Sequence, residues 1–215
     1  MIRYLIFDAA NTLIHKPTIW TIWIDVLQKH DYNVTIKDLK KVHKLTSETV
    51  RFPDRTSREF YIEFNSKVLF NLGVLPTEGL KEDLFQALTY QPWRAFEDVK
   101  SLKNINLPKV VASNFKSDLR EWLPNMVQTN FEMMFVSEEL QCRKPDLSFY
   151  QRVIDGIGIP PNEMLYIGDS LELDVLPART LGIQAYLIDR ENDYSNCKYK
   201  ITSFFELEQL IESLG

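Results

Sequence analysis

The sequence predicts an α/β protein in which a doubly wound parallel sheet carries an inserted helical segment. Short apolar runs recur along the chain, and from the second run onward each is followed by a turn and a helix-like stretch. The runs lack clean apolar–polar alternation, which is typical of parallel strands covered by helices on both faces. The interval after the first run contains helical patterns and no convincing strand. These observations favour one sheet with helices on both sides and a separate helical domain.

Five apolar runs are predicted to be the strands of the sheet. They are IRYLIF (2–7), KVVAS (109–113), MMFV (133–136), MLYIG (164–168) and QAYLI (184–188). Helical patterns follow the later runs. Asp146 is placed to cap a helix that ends near Gly156 and Gly158. Ser203 and Glu206 have the spacing of a capping box and predict the start of a last helix.

The interval 15–91 is predicted to form a domain of four helices, and the core is predicted to comprise 1–14 and 92–215. Apolar residues in this interval repeat with the spacing of one helix face. They are Trp20, Trp23, Ile24 and Leu27, then Phe60, Phe64 and Val68, and finally Leu80, Leu84 and Leu88. Start signals precede three of the helices. They are the capping boxes Thr35 with Asp38 and Thr56 with Glu59, and the pair Pro76 and Thr77.

Composition and charge exclude several classes of function. The chain has 215 residues, 45% of them hydrophobic, and a net charge of −5 at pH 7. An acidic balance argues against a nucleic-acid partner, because nucleic-acid-binding proteins usually carry basic surfaces. Cys142 and Cys197 lie far apart and form no CxxC pattern, so neither a disulfide framework nor a zinc site is expected. Without a leader pattern or an apolar run of membrane-spanning length, we expect no membrane partner and a cytoplasmic protein.

Chemically active side chains follow the ends of the predicted strands, where ligands bind in open α/β sheets. They are Asp8 after IRYLIF, Ser113 and Asn114 at the end of KVVAS, Lys144 in RKPD after MMFV, and Asp169, Ser170 and Asp174 after MLYIG. A lone aspartate at a strand end is more often a helix cap than a catalyst. Together, these residues supply a nucleophile, a hydroxyl donor, a cation and an acidic cluster at one edge of the sheet.

Phosphoryl transfer is the chemistry that uses all of these groups. A carboxylate such as Asp8 attacks phosphorus to form an acyl-phosphate. Carboxylate and phosphate repel each other, so a divalent cation must bridge them, and Mg²⁺ binds through one or two carboxylates, waters and phosphate oxygens. Asp8 and Asp169 are the expected carboxylates. Lys144 and Ser113, with nearby backbone N–H groups, are expected to contact the other phosphate oxygens.

Four motifs along the chain resemble, in order, those of the haloacid dehalogenase superfamily of hydrolases. They are FDAANTL (7–13), VVASN (110–114), RKPD (143–146) and YIGDSLELD (166–174). The resemblance covers the whole predicted core. It implies a Rossmann-like core, and it identifies the helical insertion as the cap domain that closes over the site in this family. It also implies a Mg²⁺-dependent hydrolase whose partner is a small phosphorylated or otherwise anionic metabolite.

The resemblance also implies roles for individual residues. Asp8 corresponds to the nucleophile and Lys144 to the stabilising cation, while Ser113 and Asn114 correspond to phosphate-binding groups. Asp169 corresponds to a metal ligand.

Further supporting positions follow from the same resemblance. Asp174 is expected to support Lys144 or a metal-bound water, and Thr12 and Ser170 are expected to support the site. The backbone carbonyl of Ala10 corresponds to another metal ligand, which any residue type can supply.

Position 10 departs from the family pattern. Phosphatases of this superfamily carry a second aspartate there, which protonates the leaving oxygen and then activates water, and here the side chain is the methyl group of Ala10. A positioned proton carrier contributes roughly 10² to 10⁴ in rate. Asn11 occupies a position where the family often has Gly. Asparagine tolerates a positive φ better than most residues, so we expect the turn to survive.

Three interpretations of Ala10 stay open on sequence alone. The first is a phosphohydrolase that is slow or assisted by another base, for which His15 is one candidate because histidine titrates near neutral pH. The second is cleavage of a C–P bond, as in phosphonoacetaldehyde hydrolases, which carry alanine here and use a cap lysine. The third is a protein that binds phosphate ligands with negligible turnover. The cap lysines available for the second are Lys37, Lys40, Lys41 and Lys44.

Two other activities are disfavoured. The stretch GDSL at 168–171 matches the name of a serine esterase family, which needs a late histidine that this chain lacks. Dehalogenases of the superfamily need no metal, whereas both Asp169 and Asp174 are present here. The sequence leaves the substrate and the oligomeric state open.

Overall fold

The strands lie within residues 1–53 and 55–215, the part of the chain that the computed structural model describes. In chain order they are β1 (Tyr4–Phe7), β2 (Ile14–His15), β3 (Arg94–Ala95), β4 (Lys109–Ser113), β5 (Met133–Val136), β6 (Met164–Gly168), β7 (Gln184–Ile188) and β8 (Lys200–Ile201). Four of the five predicted strands have the bounds of their apolar runs, and β1 begins at Tyr4 rather than at Ile2.

The helices of the described residues fall between these strands. In chain order they are α1 (Ile19–Lys29), α2 (Ile36–Glu48), α3 (Arg58–Asn71), α4 (Glu78–Leu88), α5 (Leu119–Val127), α6 (Ser137–Leu140), α7 (Leu147–Ile157), α8 (Leu176–Thr180) and α9 (Leu207–Ser213). Short 3₁₀ turns precede β4, β6 and α9, and a π-helical turn covers Leu171–Val175.

Six of the strands form one parallel sheet in the order β5-β4-β1-β6-β7-β8. The order reverses beside β1, which has β4 on one side and β6 on the other. This is the doubly wound order whose ligand crevice lies outside the carboxyl ends of the strands at the reversal. The central strands are buried because their runs are apolar on both faces. The predicted α/β class is confirmed.

The chain divides into two units. One comprises Met1–His15 and Arg94–Gly215 and contains the sheet, and the other comprises Lys16–Trp93 and contains α1 to α4. The insertion predicted from the sequence spans 15–91. Within the first unit, β2 and β3 pair antiparallel at the two places where the chain leaves and re-enters it. This ribbon was not predicted, because each of its strands has only two residues.

The helices of Lys16–Trp93 start where hydroxyl side chains cap them. Thr35 accepts from the Asp38 N–H at 3.1 Å, and Thr77 accepts from the Leu80 N–H at 3.3 Å, as their sequence spacing predicts. The prediction of Thr56 as a cap was wrong, since Ser57 accepts from the Phe60 N–H at 3.2 Å. Adjacent hydroxyl residues are equivalent in sequence, and only the backbone path distinguishes them.

Two predicted caps in the sheet unit also differ in detail. Asp146 immediately precedes α7, but its side chain makes no capping hydrogen bond. That helix ends at Ile157, and Gly158 follows it in the left-handed conformation with φ 73°. Ser203 accepts from the Phe205 N–H at 3.2 Å, and Glu206 accepts from the Thr202 N–H at 3.0 Å. In a capping box the donors would be the N–H groups of Glu206 and Ser203. Here each donor is the N–H of the preceding residue.

Aromatic and aliphatic residues together form the core of the helical unit. Trp23 and Phe64 are buried, and the His43 ring lies edge-on between Trp20 and Phe64, at centroid distances of 5.1 and 5.0 Å. Burial lowers the pKa of His43 to about 4, and the neighbouring Lys44 charge lowers it further in the same direction. In the described residues, no helix combines the length and apolar character that crossing a bilayer requires.

We expect His43 to make the fold less stable in mild acid. The unfolded chain takes up a proton near pH 6.5, whereas folded His43 resists protonation until about pH 4, so the free energy of unfolding falls as the pH drops through this window. The loss should be on the order of 3 kcal/mol by pH 4, because each tenfold difference in proton affinity is worth about 1.4 kcal/mol. His43→Phe keeps a ring at this position and should flatten the dependence in urea titrations followed by far-UV circular dichroism. Equal slopes in wild type and His43→Phe would contradict this assignment.

Candidate active site

The carboxyl ends of β1, β4 and β6 bring the predicted site residues to one edge of the sheet. Asp8 follows β1, Ser113 ends β4 and Asp169 follows β6, and these three strands are neighbours. Register keeps the strand ends level, because Phe7 pairs with both Val111 and Ile167. Residues far apart in sequence therefore meet at the topological reversal of the sheet.

Asp8 is buried and is held through one carboxylate oxygen. The Ser113 hydroxyl donates to Asp8 Oδ1 at 2.9 Å, and the Lys144 ammonium donates to the same oxygen at 2.6 Å. The Asp8 residue is 5% exposed. In the portion of the chain that is described, no hydrogen bond reaches Asp8 Oδ2. One oxygen thus fixes the orientation of the carboxylate while the other keeps its lone pairs.

Lys144 lies at the centre of the cluster. Its Nζ is 2.6 Å from Asp8 Oδ1, 2.6 Å from Asp174 Oδ1 and 3.4 Å from the Tyr166 hydroxyl. The Asn114 side chain holds the Lys144 backbone by accepting from its N–H at 2.8 Å and donating to its carbonyl at 3.0 Å. Asn114, which was predicted to bind phosphate, therefore acts in this structure as a clamp that places the lysine.

Asp174 approaches Lys144 from the π-helical turn after β6. The Ser170 N–H donates to Asp174 Oδ2 at 3.0 Å, and the Tyr166 hydroxyl lies 3.0 Å from Asp174 Oδ1. The carboxyl group packs directly against Gly168, where a Cβ atom would collide with it. The Ser170 hydroxyl itself accepts from the Leu173 N–H at 2.9 Å and so caps the turn that carries Asp174.

Burial sets the protonation of this ion cluster. Burial alone lowers the pKa of Lys144, but the Asp174 and Asp8 carboxylates outweigh it and hold that pKa above its ordinary value. Burial raises the pKa of Asp174 to about 6, although the Lys144 charge opposes the rise. Lys144 is therefore charged near neutral pH, and Asp174 is largely ionised.

Three carboxylates meet in this cluster and form a fitting donor set for a hard cation. Ligand atoms of Asp8, Asp169 and Asp174 all lie within 4.8 Å of one another. Their three negative charges exceed the single positive charge of Lys144. All of the donors are oxygen, which suits Mg²⁺ and does not suit metals that prefer sulfur or imidazole.

The turn after Asp8 keeps its shape although position 10 is an alanine. The N–H groups of Leu13 and Ile14 donate to the Ala9 carbonyl at 2.8 and 3.0 Å, and the Asn11 N–H donates to the Ile14 carbonyl at 2.6 Å. Asn11 has φ 57°, in the left-handed region that its residue type tolerates. In the described part of the chain, Thr12 Oγ1 is buried without a hydrogen-bond partner. The supporting role predicted for this hydroxyl therefore stays a prediction.

Sequence reasoning missed two residues near the site, Tyr166 and Arg190. Tyr166 lies within MLYIG, where an aromatic residue looks like core, yet its hydroxyl reaches Lys144, Asp174 and the Ala112 carbonyl. Arg190 follows β7 and donates to the carbonyls of the turn after Asp8. The strand-end argument, applied to QAYLI as well, would have drawn attention to Arg190.

The chain is similar to several known proteins. Residues 141–200 match the family described as HAD-hydrolase-like. Haloacid dehalogenase-like hydrolase domain-containing protein 3 from Danio rerio is 30% identical over 105 residues, which is 46% of this chain and 43% of that protein. The match thus spans less than half of that relative's own length. A glyceraldehyde 3-phosphate phosphatase from Methanocaldococcus jannaschii is 33% identical over 233 residues, covering 100% of this chain and 99% of the relative.

The chain belongs to the haloacid dehalogenase-like hydrolases. A solved structure of the HAD-hydrolase YfnB from Bacillus subtilis, bound to magnesium, shares the fold with a TM-score of 0.64 and 18% identity, covering 98% of this chain and 99% of that one. The superfamily predicted from the four motifs is confirmed by these matches.

We expect Gly168→Ala to destabilise this hydrolase. The new methyl group would overlap the Asp174 carboxyl group on a fully buried strand, and such overpacking typically costs about 1–3 kcal/mol. Gly79→Ala is the matched control, because its nearest neighbour is His30 Cε1 at 3.8 Å and it lies inside α4, where alanine stabilises by about 0.5–1 kcal/mol. Urea unfolding of both variants measures the contrast, and equal stability would refute the packing argument.

Proposed function

We propose that this protein is a magnesium-dependent phosphohydrolase that acts on a small phosphorylated metabolite through an aspartyl-phosphate at Asp8. The observation that carries the proposal is the buried Asp8 carboxylate, oriented by Ser113 and Lys144 at the carboxyl end of the central strand. A carboxylate that two donors hold through one oxygen is prepared to attack with the other.

Charge balance supports a bound Mg²⁺ held by Asp8, Asp169 and the Ala10 carbonyl. The cluster of three carboxylates and one ammonium is negative before any phosphate arrives. When bound, the metal would offset the repulsion between the carboxylates and the anionic phosphate. Asp174, which is bonded to Lys144, would then act mainly on the lysine.

Lys144 and Ser113 are the chain's own contacts for the transferred group. Both already donate to Asp8, so an incoming phosphate beside Asp8 would lie within reach of the same hydrogen atoms. Fixed donors of this kind stabilise charge that develops on the phosphate oxygens. Lys144 needs no reorganisation for this role, because Asn114 already fixes its backbone.

The reaction follows in two steps with distinct proton requirements. Asp8 attacks phosphorus and forms a P–O bond while the ester P–O bond breaks, and the departing oxygen needs a proton unless it is a stable anion. Water then attacks the phosphorus of the acyl-phosphate, releasing phosphate and the Asp8 carboxylate. At position 10 the chain has a methyl group, so neither step has a carboxyl group there to move the proton.

The relatives support a phosphate ester as substrate. The full-length relative from Methanocaldococcus jannaschii is a glyceraldehyde 3-phosphate phosphatase. We propose a substrate of the same chemical class here, a small phosphorylated metabolite, with triose phosphates as the first candidates.

We expect p-nitrophenyl phosphate hydrolysis to require magnesium, Asp8 and Asp169. Asp8→Asn should abolish turnover because an amide is a poor nucleophile, and Asp169→Asn should weaken Mg²⁺ binding in calorimetry because one carboxylate is lost. Asp155→Asn is the control, since this acid contacts Gln151 on α7 and should leave both measurements unchanged. Magnesium binding that survives Asp169→Asn intact would refute the assigned ligands.

We expect Ala10→Asp to raise the hydrolysis of alkyl phosphates, such as glyceraldehyde 3-phosphate, by roughly 10². The first step on p-nitrophenyl phosphate should gain much less, because p-nitrophenolate leaves without a proton, so a faster steady state with this substrate would reflect the second step. A burst of p-nitrophenol in the natural protein, absent in Ala10→Asp, would reveal the trapped aspartyl-phosphate. Alkyl phosphate hydrolysis that is already efficient, and unchanged in His15→Ala, would show that the proton comes from elsewhere.

The two other activities left open by Ala10 give different results in the same assays. Cleavage of phosphonoacetaldehyde through a Schiff base would make borohydride label a lysine. Lys37 and Lys41 on α2 are exposed, and Lys44 pairs with Glu48. Neither environment favours the formation of an imine with a substrate. A pure binding protein would retain phosphate ligands and turn over none of them, before or after Ala10→Asp.

A further inference from the structure

Arg190 reaches from the end of β7 to the turn that follows Asp8. Its Nη1 donates to the Asn11 carbonyl at 3.1 Å, and its Nη2 donates to the Thr12 carbonyl at 2.9 Å. The side chain is 18% exposed. Two consecutive carbonyls of the turn are therefore held by one guanidinium group.

Asp98 holds the other side of this guanidinium. Arg190 Nε and Nη2 donate to the two Asp98 oxygens at 3.2 and 3.0 Å, a bidentate arrangement that fixes both distance and plane. Asp98 also accepts from the Ser203 hydroxyl and the Phe204 N–H, at 3.2 and 3.0 Å. The carboxylate is thus itself anchored, so Arg190 has a rigid reference point.

Stacking fixes the remaining freedom of Arg190. Its guanidinium carbon is 3.7 Å from the centroid of the Phe96 ring, and the His15 ring stacks on Phe96 at 4.0 Å with an interplanar angle of 13°. The guanidinium and imidazole groups are both too close to the ring centroid to lie on the same face of Phe96. The Phe96 ring therefore lies between Arg190 and His15. A stacked, bidentate arginine is not replaceable by lysine, which lacks the planar fork.

Both peptide planes that flank Asn11 are pinned as a result. The Asn11 N–H is bonded to the Ile14 carbonyl, and in a trans peptide this directs the Ala10 carbonyl the opposite way. The Asn11 carbonyl is bonded to Arg190 on the other side. With its φ at 57°, Asn11 occupies a conformation that costs an L-residue free energy, and these two bonds hold it there.

We propose that Arg190 is a positioning residue that aims the Ala10 carbonyl at the cation by holding Asn11 in its left-handed conformation. The inference rests on the proposed function, since the Ala10 carbonyl matters only as a metal ligand. Arg190 would act through the turn, because its hydrogen bonds are with Asp98 and with the carbonyls of Asn11 and Thr12.

Magnesium calorimetry on Arg190→Met tests the inference. The methionine keeps an apolar stem beside Phe96 and removes the fork, and Mg²⁺ affinity should fall about tenfold or more, as it does when outer contacts of metal ligands are lost. Removing a positive charge near a cation site would by itself strengthen cation binding, so a weaker affinity identifies positioning rather than charge. Arg190→Lys, which keeps the charge, should also bind more weakly, and it replaces Arg190→Met if that variant does not fold.

The matched control is Arg120→Met. Arg120 also binds a carboxylate, Glu139, and a backbone carbonyl, that of Met134, in the same unit of the fold. This variant should lose stability in urea unfolding without losing Mg²⁺ affinity. Adding Asn11→Gly to Arg190→Met should restore much of the affinity, because glycine adopts the left-handed conformation without support. A merely structural role of Arg190 gives no such rescue.

The outcomes separate this inference from the function on which it rests. If the wild-type protein binds no magnesium, the proposed metal site fails and the role of Arg190 fails with it. If the wild type binds magnesium and Arg190→Met and Arg190→Lys bind it equally well, the metal site stands and the positioning role is overturned.

Discussion

The site is organised by one buried ammonium group between two buried carboxylates. Lys144 makes its closest contacts with Asp8 and Asp174, and all three side chains are almost completely removed from solvent. A charge taken out of water loses several kcal/mol of hydration, which only close partners and further hydrogen bonds restore. The surrounding polar groups supply those bonds. Residues next to Lys144 must therefore be ones that stabilise its charged form.

The same arrangement leaves the cluster with a negative charge that a cation would offset. One lysine cannot neutralise three acids, and Asp169 adds its charge beside Asp8 and Asp174. A fold selected for stability alone would place an apolar group of similar volume where Lys144 lies, because replacing buried ion pairs in this way is often neutral or stabilising. The excess negative charge that remains is a cost to the folded state, and a divalent cation would relieve it if it bound there.

Much of the fold and most of the candidate site follow from sequence. Unbroken apolar runs predict parallel strands, and the strand-end rule then brings Asp8, Ser113 and Asp169 together without knowledge of the sheet order. The same rule draws attention to Lys144, in RKPD after the run MMFV. The contacts of long side chains cannot be predicted in this way. The hydrogen bond between Arg190 and the Asn11 carbonyl, for example, depends on which strand ends lie next to each other. Tyr166 shows a second difficulty. The sequence does not reveal whether a tyrosine only packs in the core or also makes hydrogen bonds through its hydroxyl.

Ala10 and Asn11 show that the backbone of a catalytic turn and its side-chain chemistry are separable. The hydrogen bonds of the turn involve main-chain atoms from Ala9 to Ile14, and none of them needs a particular side chain at position 10. A metal ligand supplied by a carbonyl therefore survives substitutions that remove a proton carrier. The turn would thus keep its proposed metal ligand while the rate of the chemistry changes.

The placement of β1 at the centre of the sheet affects how the chain is made. This strand ends at Phe7, yet its neighbours β4 and β6 begin only at Lys109 and Met164. At about 5–20 residues per second, a ribosome needs roughly 8–30 s to deliver the second neighbour. Both edges of this apolar strand are unpaired until Lys109 emerges, and one edge stays unpaired until Met164, while the intervening helices of Lys16–Trp93 make contacts close in sequence. The nascent chain therefore depends on early helix formation, or on chaperones that cover β1, to avoid aggregation before its last partner emerges.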